Sequence, residues 1–370
     1  MRSVLPEPAF RHDAPARIGV LLVNLGTPDA PTAAAVRRYL AEFLADPRVV
    51  EIPRAVWLAI LHGIILRIRP ARSAAKYAAI WTGDGSPLLV HGTRQRTLLA
   101  GYLRQKLEAR GLPPDHVRVE LAMRYGQPSI AAAMGRLREA GCDRVLVVPL
   151  FPQYSAAATG SVFDAVFAHA SRMRRVPELR TVASFHDHPA YIRALARHLN
   201  DDWMKNGRPD RLVLSFHGLP RRSLDLGDPY HCLCQKTARL LGVELGLTAG
   251  EILVAFQSRF GRAEWLRPYT LDTVVALARD GVSRVDVFCP GFVADCLETL
   301  EEIGMEVKNA FVAAGGREFR AIPCLNEDPA WIAALTDLVV EHLGGWLAAR
   351  PDEAAREATA LRAKAMGARQ

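Results

Sequence analysis

Apolar, β-branched runs recur along the chain, with helical stretches between them. They form two similar series, at 17–23, 117–123, 144–149 and 180–185, and at 211–216, 252–257, 284–289 and 319–322. Strands that alternate with long helical crossovers are typical of parallel sheets that carry helices on both faces. The pattern therefore predicts an α/β protein with two similar doubly wound, Rossmann-like domains, each with a parallel sheet of about four strands.

The same pattern divides the chain into parts. We expect a flexible N-terminus (1–16), an N-terminal α/β domain (17–175), a C-terminal α/β domain that carries His217 and Glu298 (176–330), a helix that packs back on the first domain (331–350) and a tail (351–370). Both ends lack an apolar periodicity, so they should bury little surface. A length of 370 residues agrees with two domains, because a single core rarely exceeds about 250–300 residues.

Composition and charge narrow the functional classes. Hydrophobic residues make up 50% of the chain and charged residues 23%, which is typical of a globular protein. The start of the chain lacks a charged segment that leads into an apolar one, so we expect a cytoplasmic protein. The formal net charge is +8, but the arginines are scattered and no basic block occurs, so no nucleic-acid partner is expected. An anionic membrane surface or an acidic substrate would use this charge.

The six cysteines include no C-x-x-C pair, and Cys232 and Cys234 are the closest two. A C-x-C without a second pair at metal-site spacing is weak evidence for zinc. We expect reduced thiols that are mostly buried.

The segment 53–70 is apolar between flanking arginines, but it is far too short to cross a bilayer. It has two interpretations. One is an ordinary buried helix. The other is an interfacial or lid helix over a large apolar ligand, which suits Trp57 and the arginines.

His217 stands at the end of the predicted strand 211–216, directly before Gly218. In an open parallel sheet, ligands bind beyond the carboxyl ends of the strands. His217 is thus placed for chemistry, although a histidine that merely closes a strand by hydrogen bonding is equally common.

Three carboxylates follow the predicted strand 284–289. Glu298, Glu302 and Glu306 are spaced at i, i+4 and i+8, which places them on one face of a helix for which Asp295 is the expected N-cap. A solvated acidic face is the simplest interpretation. An imidazole and a carboxylate in one domain can also hold a divalent transition metal between them, or act as bases that pass protons to solvent.

Several ordered motifs carry a resemblance to a known family. They are LLVNLGTP (21–28), MRYG (123–126), PLFPQYS (149–155), TGS (159–161), SFHGLP (215–220), GDPY (227–230), QSRFG (257–261), WLRP (265–268) and DCLETL (295–300). Together they resemble the ferrochelatases of haem synthesis over nearly the whole chain. The resemblance implies a metal chelatase, of the lyase class, that inserts ferrous iron into a porphyrin.

The resemblance also implies roles for individual residues. His217 and Glu298 match the iron-site residues, and His217 also matches the acceptor of pyrrole protons. Glu302 and Glu306 match an acidic row for metal delivery or proton exit. The remaining matches line the macrocycle: Arg124, Tyr125, Phe151, Tyr154 and Trp265 in the pocket, and Trp57, Leu58, Leu61 and Ile65 in a lip formed by 53–70.

Two positions depart from the pattern of some relatives. Members with a [2Fe–2S] cluster carry a cysteine after Pro-Gln-Tyr-Ser and more cysteine in a C-terminal extension, whereas this chain has Ala156 and a cysteine-free tail. No cluster and no permanently bound cofactor is therefore expected. Some relatives have a histidine two residues before the glutamate, where this chain has Cys296.

The expected reaction converts protoporphyrin IX to protohaem, with Fe²⁺ as substrate and two protons released. Coproporphyrin or another tetrapyrrole is the alternative substrate, and a non-catalytic porphyrin or metal binder is the alternative function. A binder has no need of a proton exit, so the acidic row disfavours it. Peripheral contact with a membrane surface is compatible with the apolar lip, and a monomer and a homo-oligomer are both compatible with the sequence.

Overall fold

The computed structural model describes residues 4–9, 11–15, 17–248, 250–261, 263–347 and 353–368. Within these residues the chain forms two four-stranded sheets, one in each half. All the paired strands are parallel and are joined by helical crossovers. The predicted α/β class, with two similar doubly wound domains, is confirmed.

The first sheet is built around its first strand. It contains β1 (Arg17–Thr27), β2 (Val117–Gly126), β3 (Cys142–Pro149) and β4 (Glu178–Thr181), in the spatial order β2-β1-β3-β4. Side chains of β1 are buried on both faces: Val20 and Leu22 pack on one side, and Leu21 and Val23 on the other. A strand that is apolar on both faces requires cover on both, which explains the helices on each side of the sheet.

The helices of the first half supply that cover. They are α1 (Ala33–Leu44), α2 (Arg54–Ile60), α3 (Leu66–Ile80), α4 (Pro87–Glu108), α5 (Ile130–Glu139) and α6 (Ser161–Ala170). Leu99, Leu103 and Leu107 recur every four residues along α4 and pack against the Val20 face. Two π-helical turns, Leu61–Ile65 and Ala156–Gly160, precede α3 and α6.

The second sheet repeats the first. It contains β5 (Arg211–His217), β6 (Ile252–Gln257), β7 (Arg284–Phe288) and β8 (Glu318–Ala321), in the order β6-β5-β7-β8. Its helices are α7 (Pro189–Asn206), α8 (Arg221–Asp225), α9 (Tyr230–Leu245), α10 (Thr270–Arg279), α11 (Lys308–Ala313), α12 (Pro329–Leu343) and α13 (Glu353–Ala365). A π-helical segment, Glu298–Val307, runs into α11, and a 3-10 turn, Gly344–Leu347, follows α12.

The boundary expected at residue 175 is wrong by one strand. The short strand β4 pairs with β3 through Arg144↔Glu178 to Val147↔Thr181, so it belongs to the first sheet. The sequence pattern places the run 180–185 in the first series of strands, and this pairing confirms that assignment, so only the boundary changes.

The helix α12 ties the second half to the first. It packs against α4 of the first half and against α7. Its Trp331 is fully buried, stacks on Phe185 at 5.8 Å between ring centroids, and meets Tyr191 edge-on at 5.6 Å. The Tyr191 hydroxyl donates to the Pro290 carbonyl oxygen at 2.6 Å, in the loop after β7. The aromatic cluster therefore connects α12 to the edge of the second sheet. Residues 348–350 of the predicted helix 331–350 lie outside the described residues.

The described residues near the N-terminus are anchored. The Leu5 amide donates to the Arg172 carbonyl oxygen at 2.8 Å, and the Glu7 carboxylate accepts from the Arg174 and Arg175 amides at 2.9 and 3.0 Å. Residues 1–3, 10 and 16 of the segment predicted to be flexible lie outside the described part, as do residues 351, 352, 369 and 370 of the tail. The tail helix α13 has no buried residue.

No helix in the described ranges is both long and apolar enough to span a bilayer.

Replacing Trp331 tests the aromatic cluster. We expect Trp331→Ala to lower the free energy of unfolding by about 3–5 kcal/mol, because a large buried ring is lost. Trp331→Phe should cost much less, since it keeps an aromatic ring and removes an indole N–H that is buried without a hydrogen-bond partner. Urea unfolding of both variants measures the difference, and equal losses would contradict this account.

Candidate active site

The carboxyl ends of β5, β6 and β7 meet at one edge of the second sheet. His217 ends β5, and Gln257, its partner in the parallel register, ends β6. The loop that follows β7 leads into the π-helical segment, which begins at Glu298. The sheet itself therefore brings His217 and the start of the acidic segment to one place, at the edge where α/β proteins bind ligands.

His217 is half-buried, and its hydrogen bond defines which nitrogen carries the proton when the ring is neutral. Nδ1 lies 2.7 Å from the carbonyl oxygen of Gly218. A carbonyl oxygen can only accept, so Nδ1 carries the proton of the neutral imidazole. The lone pair is then on Nε2, where it can accept a proton or bind a metal ion.

Gly218 allows the two strand ends to come close together. Its amide donates to the Gln257 carbonyl oxygen at 2.8 Å, and a Cβ at this position would lie 2.6 Å from that oxygen. Trp265 packs against the same glycine, since its ring atom Cε3 would lie 3.1 Å from that Cβ. Glycine is therefore required after the histidine, and Trp265 lies beside the candidate site.

The side chain of Gln257 joins the strand ends to the acidic segment. Its Oε1 accepts from the Ser215 hydroxyl at 2.6 Å, and its Nε2 donates to the Glu298 carbonyl oxygen at 2.9 Å. The residue is 3% exposed, so both hydrogen bonds are shielded from water. Gln257 thus holds the first residue of the segment against β5.

Glu302 is anchored to the loop after β6. Its Oε1 accepts from the Ser258 amide at 2.7 Å and its Oε2 from the Ser258 hydroxyl at 2.5 Å. Ser258 has φ +66°, which turns its amide towards the carboxylate. Burial raises the pKa of Glu302, although the Ser258 hydrogen bonds, and His217 when its ring is protonated, oppose this rise. The influence of His217 and Glu298 on this pKa indicates that the three side chains form one electrostatic group.

The expected row of three carboxylates is divided. Glu302 binds Ser258, whereas the Glu306 carboxylate lies 3.1 Å from Lys76 Nζ. The same Nζ lies 2.8 Å from Glu301. The prediction assumed α-helical spacing, but the segment is π-helical, with backbone hydrogen bonds between residues five apart. Glu301 and Glu306 are therefore neighbours, which the sequence spacing did not indicate.

Asp295 is not the N-cap that the sequence predicts. Its carboxylate accepts from the Thr299 hydroxyl at 2.9 Å, from Asn326 Nδ2 at 2.6 Å and from the Cys324 amide at 3.2 Å. It is thus fixed by a loop that is distant in sequence, and it holds the approach to Glu298 in place.

Gln95 of α4 extends this support into the first half of the chain. Its Nε2 donates to the Val293 carbonyl oxygen at 2.8 Å and to the Asn326 carbonyl oxygen at 2.7 Å. Sequence reasoning missed Gln95 and Asn326, because nothing in the sequence indicates that α4 lies against the loops after β7 and β8.

Tyr125 was expected to line the pocket, but it is fully buried. Its hydroxyl donates to Asp46 Oδ2 at 2.9 Å. Asp46 also accepts from Arg124 Nη2 at 2.5 Å and from the Ser161 hydroxyl at 2.6 Å. Tyr125 therefore supports Arg124 and presents no surface of its own. Asp46 and Ser161 were missed, because their pairing depends on the tertiary fold.

Asp46 is ionised within this network. Burial opposes ionisation, but the hydrogen bonds from Ser161, the Arg48 amide and Tyr125, together with the charge of Arg124, lower its pKa overall. A buried ion pair with several hydrogen bonds holds the Arg124 guanidinium in a defined position.

The other predicted pocket residues have different neighbours. Phe151 is half-buried and packs against the apolar cluster that contains Val162. Tyr154 is half-buried, and its hydroxyl would lie 3.3 Å from a Cβ at Gly160, in the π-helical turn before α6. Trp265 belongs to the second half, as described above.

The predicted lip is α2, the π-helical turn that follows it, and the start of α3. The Trp57 indole donates to the Leu44 carbonyl oxygen at 2.6 Å, which ties α2 to the end of α1. Leu61 is fully buried in an apolar cluster, and Leu58 and Ile65 are half-buried against it. Leu61 thus anchors the lip and presents no surface to a ligand.

The lip also reaches the second half of the chain. Leu297 and Leu300, at the start of the acidic segment, pack against the same cluster. The guanidinium of Arg69 lies 4.6 Å from the ring centre of Phe260, in the loop after β6. The lip therefore bridges the two halves beside His217 and Glu298.

Cys296 is buried, and burial is the main reason for the raised pKa of its thiol, with Glu298 adding to it. The thiol form is therefore favoured. Among the described residues, no group of three or more His, Cys, Asp or Glu side chains is arranged to hold a metal ion.

Comparisons with known proteins agree with this fold and identify a family. The family model described as Ferrochelatase matches residues 17–343. The chain is 61% identical over 364 residues to a ferrochelatase of Methylibium petroleiphilum, covering 98% of each protein. It is 59% identical over 370 residues to a ferrochelatase of Aromatoleum aromaticum, covering 100% of each.

Among solved structures, SirB from Bacillus subtilis with Fe³⁺ has a TM-score of 0.50 and 15% sequence identity, covering 89% of this chain and 96% of that one. At this identity the likeness concerns the fold alone. The family model and the relatives cover both sheets and the acidic segment that follows β7. The chain therefore belongs to the ferrochelatase family, whose members are metal chelatases.

Proposed function

We propose that the protein inserts Fe²⁺ into protoporphyrin IX to give protohaem, at the edge of the second sheet beneath the lip. The observation that carries this proposal is the lone pair on His217 Nε2, which the Nδ1 hydrogen bond to Gly218 leaves available next to the acidic segment. Iron is a substrate in this reaction, and no resident cofactor is required.

His217 and Glu298 are proposed to receive the iron. An imidazole nitrogen and a carboxylate oxygen suit Fe²⁺, and two protein ligands leave positions open for transfer to the macrocycle. His217 Nε2 is also the proposed acceptor of a pyrrole proton. One nitrogen cannot do both at once, so proton removal and iron binding at His217 must be separate events.

Glu302 is the proposed next acceptor of a proton. Its pKa is raised by burial, so it takes up a proton more readily than an exposed glutamate does. Ser258 holds the carboxylate in place through two hydrogen bonds. Glu306 is exposed and paired with Lys76, at the end of the segment where protons or metal ions exchange with solvent.

The macrocycle is proposed to lie between the lip and the strand ends. Two pyrrole N–H groups of the free porphyrin point into the space that the metal must enter. A pocket that binds a ruckled macrocycle would turn nitrogen lone pairs towards the metal and lower the barrier. Trp265, Tyr154 and the half-buried lip residues Trp57, Leu58 and Ile65 are the proposed apolar surfaces, and Arg124 the proposed basic group near the propionates.

Protoporphyrin is favoured over coproporphyrin by the apolar character of the lip. Protoporphyrin has two propionates and apolar vinyl groups, whereas coproporphyrin has four propionates. Two further carboxylates against the half-buried lip residues Leu58 and Ile65 would lose hydration at apolar side chains.

Anaerobic incubation with each porphyrin and Fe²⁺ or Zn²⁺, followed by absorbance, tests the substrate. We expect a metalloporphyrin to form, with a higher kcat/KM for protoporphyrin IX than for coproporphyrin. A preference for coproporphyrin would contradict the proposed substrate. The absence of product with every porphyrin would contradict the insertion reaction and leave a binding protein.

His217→Ala tests the role of the imidazole. We expect insertion to fall at least about 100-fold, because the proton acceptor and an iron ligand are lost together. Porphyrin binding, measured by fluorescence quenching, should stay within a factor of about two, since the pocket walls are unchanged.

His188→Ala is the matched control. His188 precedes α7 and pairs with Glu341 of α12 at 3.2 Å, outside the loops that follow β5, β6 and β7, so its loss should leave turnover unchanged. Normal turnover in His217→Ala would refute the role of His217.

We also propose that the protein is cytoplasmic and touches anionic membrane surfaces through the outer face of the lip. Val56, Ile64 and Ile68 are 55%, 54% and 57% exposed there. Arg67 and Arg72 are exposed on the same segment. Apolar side chains flanked by arginines suit an interface between headgroups and acyl chains.

Vesicle sedimentation tests this contact. We expect Ile64→Glu with Ile68→Glu to weaken binding to vesicles with about one-third phosphatidylglycerol by at least about tenfold, because two apolar side chains are lost and charge is added. Val243→Glu is the control, since Val243 is 73% exposed on α9, away from the lip. Equal vesicle binding by the unaltered protein, the double variant and the control variant would contradict the proposed contact, and so would the absence of binding by all of them.

A further inference from the structure

Lys76 lies on α3 and contacts two carboxylates of the acidic segment. Its Nζ is 2.8 Å from Glu301 Oε2 and 3.1 Å from Glu306 Oε2. The Lys76 and Glu306 side chains are 45% and 53% exposed, whereas that of Glu301 is only 14% exposed. The Lys76–Glu301 bond is therefore the more shielded of the two and the more effective electrostatically.

The ion pair of Lys76 and a neighbouring apolar contact both join α3 to the acidic segment. Tyr77, next to Lys76, is buried in the apolar cluster that contains Leu61, against which Leu297 and Leu300 pack. The lip and the acidic segment therefore pack against the same apolar cluster, and Lys76 lies at the outer edge of this contact. Arg69, whose guanidinium contacts the Phe260 ring, lies on another part of α3.

The surrounding charges favour the ammonium form. Burial opposes the charge of Lys76, but the hydrogen bonds and charges of Glu301 and Glu306 outweigh it and raise its pKa. The segment also carries Glu298 and Glu302, so four carboxylates lie within two π-helical turns. Lys76 offsets one of the two negative charges of Glu301 and Glu306.

We propose that Lys76 is a positioning residue for insertion, which holds the lip closed over the porphyrin by tying α3 to Glu301 and Glu306. It acts through the lip and does not touch the reacting atoms. This role rests on the proposed function, in which the lip covers the macrocycle. Loss of the tie weakens porphyrin binding and leaves His217 and Glu298 in place. It also leaves two outer carboxylates without a counter-charge, which attracts cations.

Steady-state kinetics with Zn²⁺ and protoporphyrin IX test this role. We expect Lys76→Met to raise the KM for porphyrin about three- to fivefold, the range that one or two partly exposed ion pairs can supply. The kcat should stay within about twofold, and the KM for Zn²⁺ should not rise. Lys76→Arg keeps the charge and should restore at least half of the lost porphyrin affinity.

A double-mutant cycle identifies the partner. Glu301→Gln should reproduce part of the rise in porphyrin KM, and Lys76→Met with Glu301→Gln should be no worse than Lys76→Met alone. Lys106→Met is the matched control. Lys106 forms a similarly exposed pair with Asp337 at 3.2 Å, between α4 and α12. Its loss should leave both KM values unchanged.

An unchanged porphyrin KM in Lys76→Met, additive effects in the cycle, or the same effect from Lys106→Met would overturn the proposal. Thermal unfolding of each variant shows whether the fold is retained. Turnover by the unaltered protein in the same assay separates this outcome from a failure of the proposed function, because that failure abolishes turnover in every variant and in the control.

Discussion

The arrangement of the site depends on the buried carboxamide of Gln257. It accepts from Ser215 on β5 and donates to the backbone of Glu298. One side chain thus joins two strands to the start of the acidic segment. A buried amide that loses its partners costs about 1–3 kcal/mol for each group, so separation of the three elements is disfavoured. His217 and Glu298 share a site because this amide connects their elements.

The two halves of the chain contribute different parts to the site. The second half supplies the histidine, the acidic segment and the loop that carries Ser258. The first half supplies the lip, and α4 supplies Gln95, which holds the loops after β7 and β8. An internal repeat therefore yields an asymmetric site, because the lip segment between β1 and α4 has no counterpart between β5 and α9.

Much of the site could be inferred from strand ends and motifs. His217 is at the end of an apolar run followed by glycine, and parallel sheets align such ends whatever the connecting loops contain. Glu306 and Tyr125 were harder to interpret. The spacing of the glutamates indicates one helix face only if the period is α-helical, and the burial of Tyr125 depends on Asp46, which is 79 positions away.

The sequence by itself determined the α/β class, the two parallel sheets, the family and the position of His217, because these follow from local periodicity and ordered motifs. Only the tertiary structure decided that Asp295 binds Asn326 and that Glu301 and Glu306 share Lys76. Each of these is a hydrogen bond or ion pair between segments distant in the chain. A polar side chain has several possible partners, and only packing brings one of them within reach.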